Sequence, residues 1–262
     1  MSGNGEDLAA LYDDWAADYE AMHADWEATI RNHGALLAGA ISERGVVAPA
    51  TVLDCTCGTG TQAIGLALSG YTVSGTDVSA GELAAAASAA TRHGVDVHFA
   101  LGDLRRPPTP GHQRFSAVLT ANSLTHFHDV TSLQLVLANA AALVEPGGVF
   151  VTTNRDYDDV SARVASTSPQ SSIRDGIRRV SFQLWDWDEG GESYRMDSLL
   201  LTAPFDEASH EPPIWETRSR STTLRAWRRA DIEAAARAVG LVEIVWHETP
   251  WQPIMTAIHP IP

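Results

Sequence analysis

From Thr51 onward the hydrophobic pattern changes period repeatedly: short runs rich in Val, Leu, Thr and Phe alternate with stretches whose apolar residues recur every three or four positions. The short runs predict strands over 51–56, 71–77, 97–102, 115–121 and 148–154. The stretches between them predict helices over 60–69, 79–94 and 131–144. Strands that are apolar throughout, and mostly followed by a helix, read as a doubly wound parallel sheet covered on both faces. The alanine-rich "ELAAAASAATRHG" belongs to this scheme as a strong helix former closing at a glycine.

The flanking regions extend the picture. Before the first strand, Leu8, Leu11, Tyr12, Trp15, Tyr19 and Met22 repeat with helical spacing, and the pattern resumes from Trp26 to Ile41, which predicts two helices. Beyond the fifth strand, "SARVASTSPQSS" from Ser161 to Ser172 reads as a Ser/Thr-rich loop. "RRVSFQLWDWDEGGESYRMDSLLLTAPF" and "PPIWETRSRSTTLRAW" then read as antiparallel strands separated by Gly and Pro turns. The helix "RRADIEAAARAVGL" and the strands "VEIVWHET" and "IMTAIHP" complete the sheet. The expected organisation is an N-terminal helical segment over 1–45, a nucleotide-binding core over 46–160, a strand-rich insertion over 161–224 and the end of the core sheet over 225–262. With 262 residues, one α/β core carrying an insertion is the expected arrangement.

Composition narrows the partners. Against 33 acidic residues stand 18 basic ones, and the resulting charge of −15 repels phosphate backbones and anionic lipid head groups. Nucleic acid and membrane are therefore not expected partners. All the basic residues are arginine, which excludes a lysine Schiff base and a P-loop lysine. No apolar run approaches the ~20 residues needed to span a bilayer, and the opening "MSGNGEDLAALYDDW" has neither the basic nor the apolar region of a signal peptide. Cys55 and Cys57 are too close for an ordinary disulfide and too few for a zinc site, so they read as small buried residues in a reducing cytoplasm. His126 and His128 lack a nearby third ligand, so no metal is expected.

The chemistry concentrates in "TVLDCTCGTGTQAIGLALSG", Thr51 to Gly70. A glycine turn between a buried strand and a helix aims backbone N–H groups and the helix dipole at a ligand. "GTGTQA", Gly58 to Ala63, fits the dinucleotide pattern G-x-G-x-x-A, with Asp77 placed for a ribose hydroxyl, so on its own the turn admits a nicotinamide-dependent oxidoreductase. Asp54, inside the strand four residues before Gly58, instead suits a cationic ligand such as a sulfonium with its ammonium group. Asp103, after the third strand in "HFALGDLRRPP", can accept a hydrogen bond from an adenine amino group. "LVEPGGVFVTTN" adds a helix end, a Pro-Gly-Gly turn and a buried strand.

In order, "VLDCTCGTG", "VSGTD", "LGD" and "PGG" resemble the motifs of class I S-adenosylmethionine-dependent methyltransferases, from Thr51 to Asn154 and again in the last two strands. The resemblance implies a Rossmann-like seven-stranded sheet with helices on both faces, an antiparallel insertion after the fifth strand, and S-adenosylmethionine as cofactor. It implies that Gly58 and Gly60 contact the methionine portion, that Asp77, with Val78 beside it, holds the ribose, and that Asp103 and Leu104 meet the adenine. Thr56 stands where the family pattern has its first glycine.

"DWEATIRNHGALL", "TANSLTHF" and "TTNRDYDDV" are further similar to the glycine and sarcosine N-methyltransferases and their bacterial relatives, over about residues 10–160. That likeness implies transfer to the nitrogen of a small amine or amino acid, glycine or sarcosine first. Arg155, after the fifth strand, would pair with the acceptor's carboxylate. Asn122 and His126, after the fourth strand, would bond the nucleophile or the donor's methionine group, and His126 would take the amine's proton. Tyr12, Tyr19, Trp26 and Arg31 would close over the cofactor. Trp185, Trp187, Tyr194 and Trp215 fit either an acceptor roof or packing between strands. An amine of a specialised natural product, an amino sugar or a peptide terminus fits the same core, as does O- or C-methylation, and a homo-oligomer stays open.

Overall fold

The computed structural model describes residues 4–23, 25–106, 111–159, 165–208 and 211–262. Helices α1 (Asn4–Trp15) and α2 (Trp26–Glu43) precede β1 (Thr51–Asp54), α3 (Thr61–Leu68), β2 (Thr72–Asp77), α4 (Ala80–His93), β3 (Val97–Leu101) and β4 (Phe115–Ala121). After α5 (Val130–Ala142) and β5 (Val144–Thr153) come β6 (Gln170–Arg174), β7 (Ile177–Trp187), β8 (Ser193–Pro204) and β9 (Glu216–Arg225). The chain ends with α6 (Arg229–Ala238), β10 (Val242–His247) and β11 (Ile254–Ile258).

Seven strands form one sheet in the order β10-β11-β5-β4-β1-β2-β3. The pairs β1–β2, β1–β4, β2–β3 and β4–β5 are parallel, whereas β11 runs antiparallel to both β5 and β10. The order reverses beside β1, so the carboxyl ends of β1 and β4 splay apart there and leave the crevice in which such sheets bind ligands.

Side-chain alternation fills both faces. Val118 and Phe150 point to one side and pack with Leu133 and Leu137 of α5 and Ile232 of α6. Their neighbours Leu119 and Val151 point to the other side and pack with Leu37 and Ile41 of α2 and Leu66 of α3. Helices α2 and α3 cross in backbone contact: a Cβ added to Gly34 would lie 2.3 Å from the carbonyl carbon of Gly65. Two glycines at one crossing are a packing requirement, because any larger side chain separates the helices.

Several bounds differ from the sequence pattern. The first strand stops at Asp54, its pairing with β4 closing with the Cys55 amide on the Leu119 carbonyl, and Thr56 to Gly60 then form the turn. Gly60 caps α3 with a left-handed φ of 86°, so that helix begins at Thr61. The fifth strand begins earlier than expected, running through the Pro-Gly-Gly turn from Val144. Part of the expected Ser/Thr-rich loop is strand β6, whose hydroxyl-bearing residues suit an exposed edge; its residues 161–164 lie outside the described ones.

The segment between β5 and α6 makes a second, antiparallel sheet in the order β6-β7-β8-β9. It has a small core of its own, in which Trp185 and Tyr194 stack at 5.0 Å between ring centres and the Tyr194 and Tyr157 hydroxyls meet at 2.8 Å. The sheet leans on the N-terminal segment: Arg218 of β9 bonds Asp14 at 2.9 Å and also pairs with Asp18, and Ser181 Oγ donates to the Met22 carbonyl. Among the described residues, no helix is long and apolar enough to cross a membrane.

Candidate active site

At the crevice above β1 and β4 lies a cavity of about 300 Å³. Its floor is the turn Cys55–Thr59, its sides are Asp77 with Val78, Asp103 with Leu104, and Asn122 with Ser123 and His126, and Leu8, Tyr12 and Tyr19 enter from the N-terminal segment. Gln183 of β7, Met196 of β8 and Arg220 of β9 complete the wall from the second sheet.

Asp77, at the end of β2, accepts from the Gly58 amide at 3.0 Å through Oδ2 and from the Ser79 amide at 3.0 Å through Oδ1. It ties the glycine turn to the start of α4 and keeps lone pairs toward the cavity. Burial raises its pKa although these amides oppose the shift. Asp54 sits beneath the turn, fully buried; Oδ1 accepts from the Thr56 amide at 3.2 Å while Oδ2 has no partner. Burial pushes its carboxyl up to about 7. The Thr56 hydroxyl, in place of the family's glycine, donates to Ser123 Oγ at 3.1 Å and joins the turn to the β4 end. Gly58 has a φ of 51°, and a Cβ there would come within 3.1 Å of Glu82 Oε2.

Gly60 is kept small by something other than the cavity lining: a Cβ would fall 3.0 Å from the Ala86 Cβ of α4. Asp103 lines the cavity but is committed to a fork from Arg105, Nε to Oδ1 and Nη2 to Oδ2, both 2.8 Å. Burial works against its charge, yet the Arg105 hydrogen bonds hold the carboxyl below its ordinary range. Asn122 adopts a φ of 55°, a region asparagine enters at small cost, with its Oδ1 accepting from Gln252 Nε2 at 2.6 Å. His126 Nε2 and the Tyr12 hydroxyl share a hydrogen bond of 2.8 Å. Burial, with the charges of His128 and Arg220, brings the His126 imidazole down to about 4. His128 has a separate partner, the Thr223 carbonyl at 3.0 Å.

The remaining sequence-derived candidates lie elsewhere. Tyr19 reaches the cavity and its hydroxyl, raised to about 12 by burial, bonds Thr61. Trp26 is core, its indole N–H donating to Thr61 Oγ1 at 3.1 Å, so it touches the cavity only through that threonine. Arg31 is exposed on α2. Arg155 is also exposed, stacked on Trp185 at 4.1 Å and outside the cavity lining. Of the four aromatic candidates of the insertion, Trp185 and Tyr194 are core and Trp215 is exposed, and none lines the cavity.

Three charged residues of the lining are absent from the sequence-derived candidates: Glu82, Arg220, and Arg105, which is spent on Asp103. Glu82 projects into the cavity from the first turn of α4, where burial and Asp77 push it up to about 8. Its signal was "SAGE": Ser79 caps the helix and accepts from the Glu82 amide at 3.0 Å, which fixes where that side chain starts. Arg220 was legible in the alternation of "TRSRST", which puts Arg218 and Arg220 on one face of a strand.

A second cavity, of about 530 Å³, adjoins the first and shares Leu8, Arg105, His126 and Phe127 with it. Its other walls include Asp129, Ser132, Ser221, Thr222 and Thr223.

The strand order, the glycine turn and the crevice above β1 and β4 define a Rossmann-like, nucleotide-binding α/β protein. Residues 52–148 match the Methyltransf_25 model, a methyltransferase domain, so the chain carries a methyltransferase core of the S-adenosylmethionine-dependent kind. No curated protein matches the chain in sequence. Among solved structures it is similar to DesVI of Streptomyces venezuelae, with a TM-score of 0.73, 23% identity and coverage of 97% of this chain and 98% of that one. It is also similar to S-adenosylmethionine-bound CalS10, an amino pentose methyltransferase of Micromonospora echinaspora involved in calicheamicin biosynthesis, with a TM-score of 0.71, 20% identity and coverage of 94% and 96%. The sugar N-methyltransferase KedS8 of a Streptoalloteichus species superposes with a TM-score of 0.69, 20% identity and 88% coverage of each chain. At these identities the likeness is one of fold.

Proposed function

We propose that the enzyme methylates the amino nitrogen of a small hydroxylated molecule, an amino sugar being the substrate class that fits best. The observation that carries this reading is the second cavity, which opens on the first at His126 and is lined by four hydroxyl side chains and the Asp129 carboxylate. That lining suits a ligand bearing several hydroxyl groups and a cation, and the functions named for CalS10 and KedS8 point the same way. Glycine and sarcosine, the acceptors suggested by the "TTNRDYDDV" resemblance, are less well served, because Arg155 lies on Trp185 and lines neither cavity.

The residues of the first cavity fit the donor. Asp77 and Glu82 line that cavity, while Asp54, expected from the sequence to meet the donor, lies outside the lining, buried beneath the turn; the three carboxylates together make a negative surround that suits a ligand bearing an ammonium and a sulfonium. Asp77 would hold the ribose hydroxyls, Leu104 and Asp103 the adenine, and Gly58 the methionine chain. When bound, the donor supplies an electrophilic methyl carbon that an uncharged amine attacks in line, with the carbon–sulfur bond breaking as the carbon–nitrogen bond forms.

The protein's part is alignment and exclusion of water. Asn122 Oδ1 and the neutral His126 ring accept hydrogen bonds from the amine and orient its lone pair, while Tyr12 fixes the ring. An imidazole at about 4 does not hold a proton at neutral pH, so His126 positions the amine and the product's proton leaves toward the open second cavity. Gln183 and Met196 close the cavity from above.

The test is mass spectrometry of amino sugars, glycine, sarcosine and simple amines incubated with the enzyme and methyl-labelled S-adenosylmethionine. Label on the sugar amine is expected. Label confined to glycine and sarcosine, or to a hydroxyl oxygen, overturns the proposal.

A further inference from the structure

Arg220 is the unusual charge in this site. Its Nε and one terminal nitrogen are buried with no hydrogen-bond partner, and it makes no ion pair among the described residues. The guanidinium lies over Tyr12 at 4.9 Å and Trp15 at 5.1 Å, which fixes its plane and leaves its N–H edge for something else. A buried guanidinium whose donors are unspent is costly unless a ligand takes them, and its fork matches a carboxylate or phosphate. The other arginine of this cavity, Arg105, has spent its fork on Asp103.

The position of Arg220 selects among anions. Its charge is felt by Tyr19, Glu82 and His126, groups that surround the glycine turn. Tyr19 bonds Thr61 at the first turn of α3, and Glu82 lies against Gly58. Arg220 therefore shares the cavity wall with the glycine turn and the first residue of α3, with the Glu82 carboxyl also on that lining.

We propose that Arg220 grips the carboxylate of the methyl donor's amino-acid end, with Glu82 beside its ammonium group, so that a residue of the inserted sheet reads the donor's zwitterion. The assignment rests on the donor reading of the first cavity. It makes Arg220, some 160 residues beyond the glycine turn, a binding residue for a ligand whose other contacts belong to the core.

The test is calorimetry with the full chain and two probes, S-adenosylhomocysteine and 5′-methylthioadenosine, which share adenosine and sulfur while only the first has the amino-acid end. Arg220→Gln is expected to weaken S-adenosylhomocysteine by about tenfold or more and to leave methylthioadenosine within about twofold, with Arg220→Lys recovering part of the loss. Unchanged S-adenosylhomocysteine affinity overturns the proposal and moves the anion to the acceptor; equal losses for both probes overturn it in favour of a packing role. Failure of the unsubstituted protein to bind either probe is a different outcome and removes the donor reading itself.

Discussion

Asp77 spends both carboxylate oxygens on backbone amides, one in the glycine turn and one at the start of α4. Its removal therefore loses a proposed ribose contact and the brace that shapes the turn. Asp77→Ala is expected to weaken S-adenosylmethionine binding at least about tenfold, or about 1.4 kcal/mol, by calorimetry; unchanged affinity removes Asp77 from the proposed site. Sequence alone reached this residue because a carboxylate ending the second strand has one geometric destination. Trp26 and Arg31 show the opposite case: helical spacing placed both on α2, but the face each presents depended on how α2 crosses α3. The same holds for Arg155, whose direction is set by Trp185 of a sheet formed later in the chain.

At the scale of elements, the crossing of α2 and α3 is the tightest packing described. Gly34→Ala would drive a methyl into the Gly65 backbone, which cannot move aside as a side-chain end can. The expected cost is at least about 2 kcal/mol, in the range for overpacking, visible as a fall in Tm of roughly 4–8 °C. A Tm within one degree of the unsubstituted protein would mean that the helices separate freely. The core strands and helices were legible because apolar periodicity reports burial, which local spacing encodes. The inserted strands were legible as strands, but their contacts were not. Which of Trp185, Trp187, Tyr194 and Trp215 turns inward depends on register with β8 and β9, a long-range property.

For the molecule as a whole, the buried carboxylates make stability depend on pH in a definable window. Asp54 at about 7 and Glu82 at about 8 lie above their ordinary values, so the folded state binds more protons than the unfolded one and stability is lost as pH rises through these values. Below about pH 6.5 the partly buried His33 and His126, both brought down to about 4, act in the reverse direction and offset the carboxylates. Between pH 6.5 and 8.5 the carboxylates act alone. The Tm of the ligand-free protein is expected to fall across that interval, and Asp54→Asn with Glu82→Gln to flatten the fall; a flat profile in the unsubstituted protein would show both groups ionised already. On the proposed donor reading, a cationic donor favours the ionised Glu82, so its affinity is expected to rise over the same interval.

The contact between Arg218 and the N-terminal segment joins residues 204 positions apart. During synthesis, α1 emerges well before its partner strand β9, which follows it by about 200 residues. Until β9 arrives, Trp15 has no guanidinium above it and the wall that carries Arg220 does not exist. The glycine turn and β1–β5 can be complete well before that point, yet the nascent chain would hold the donor by only one side. Tight retention of the donor is thus a late event of synthesis, timed by the inserted sheet rather than by the core that carries the recognisable motifs.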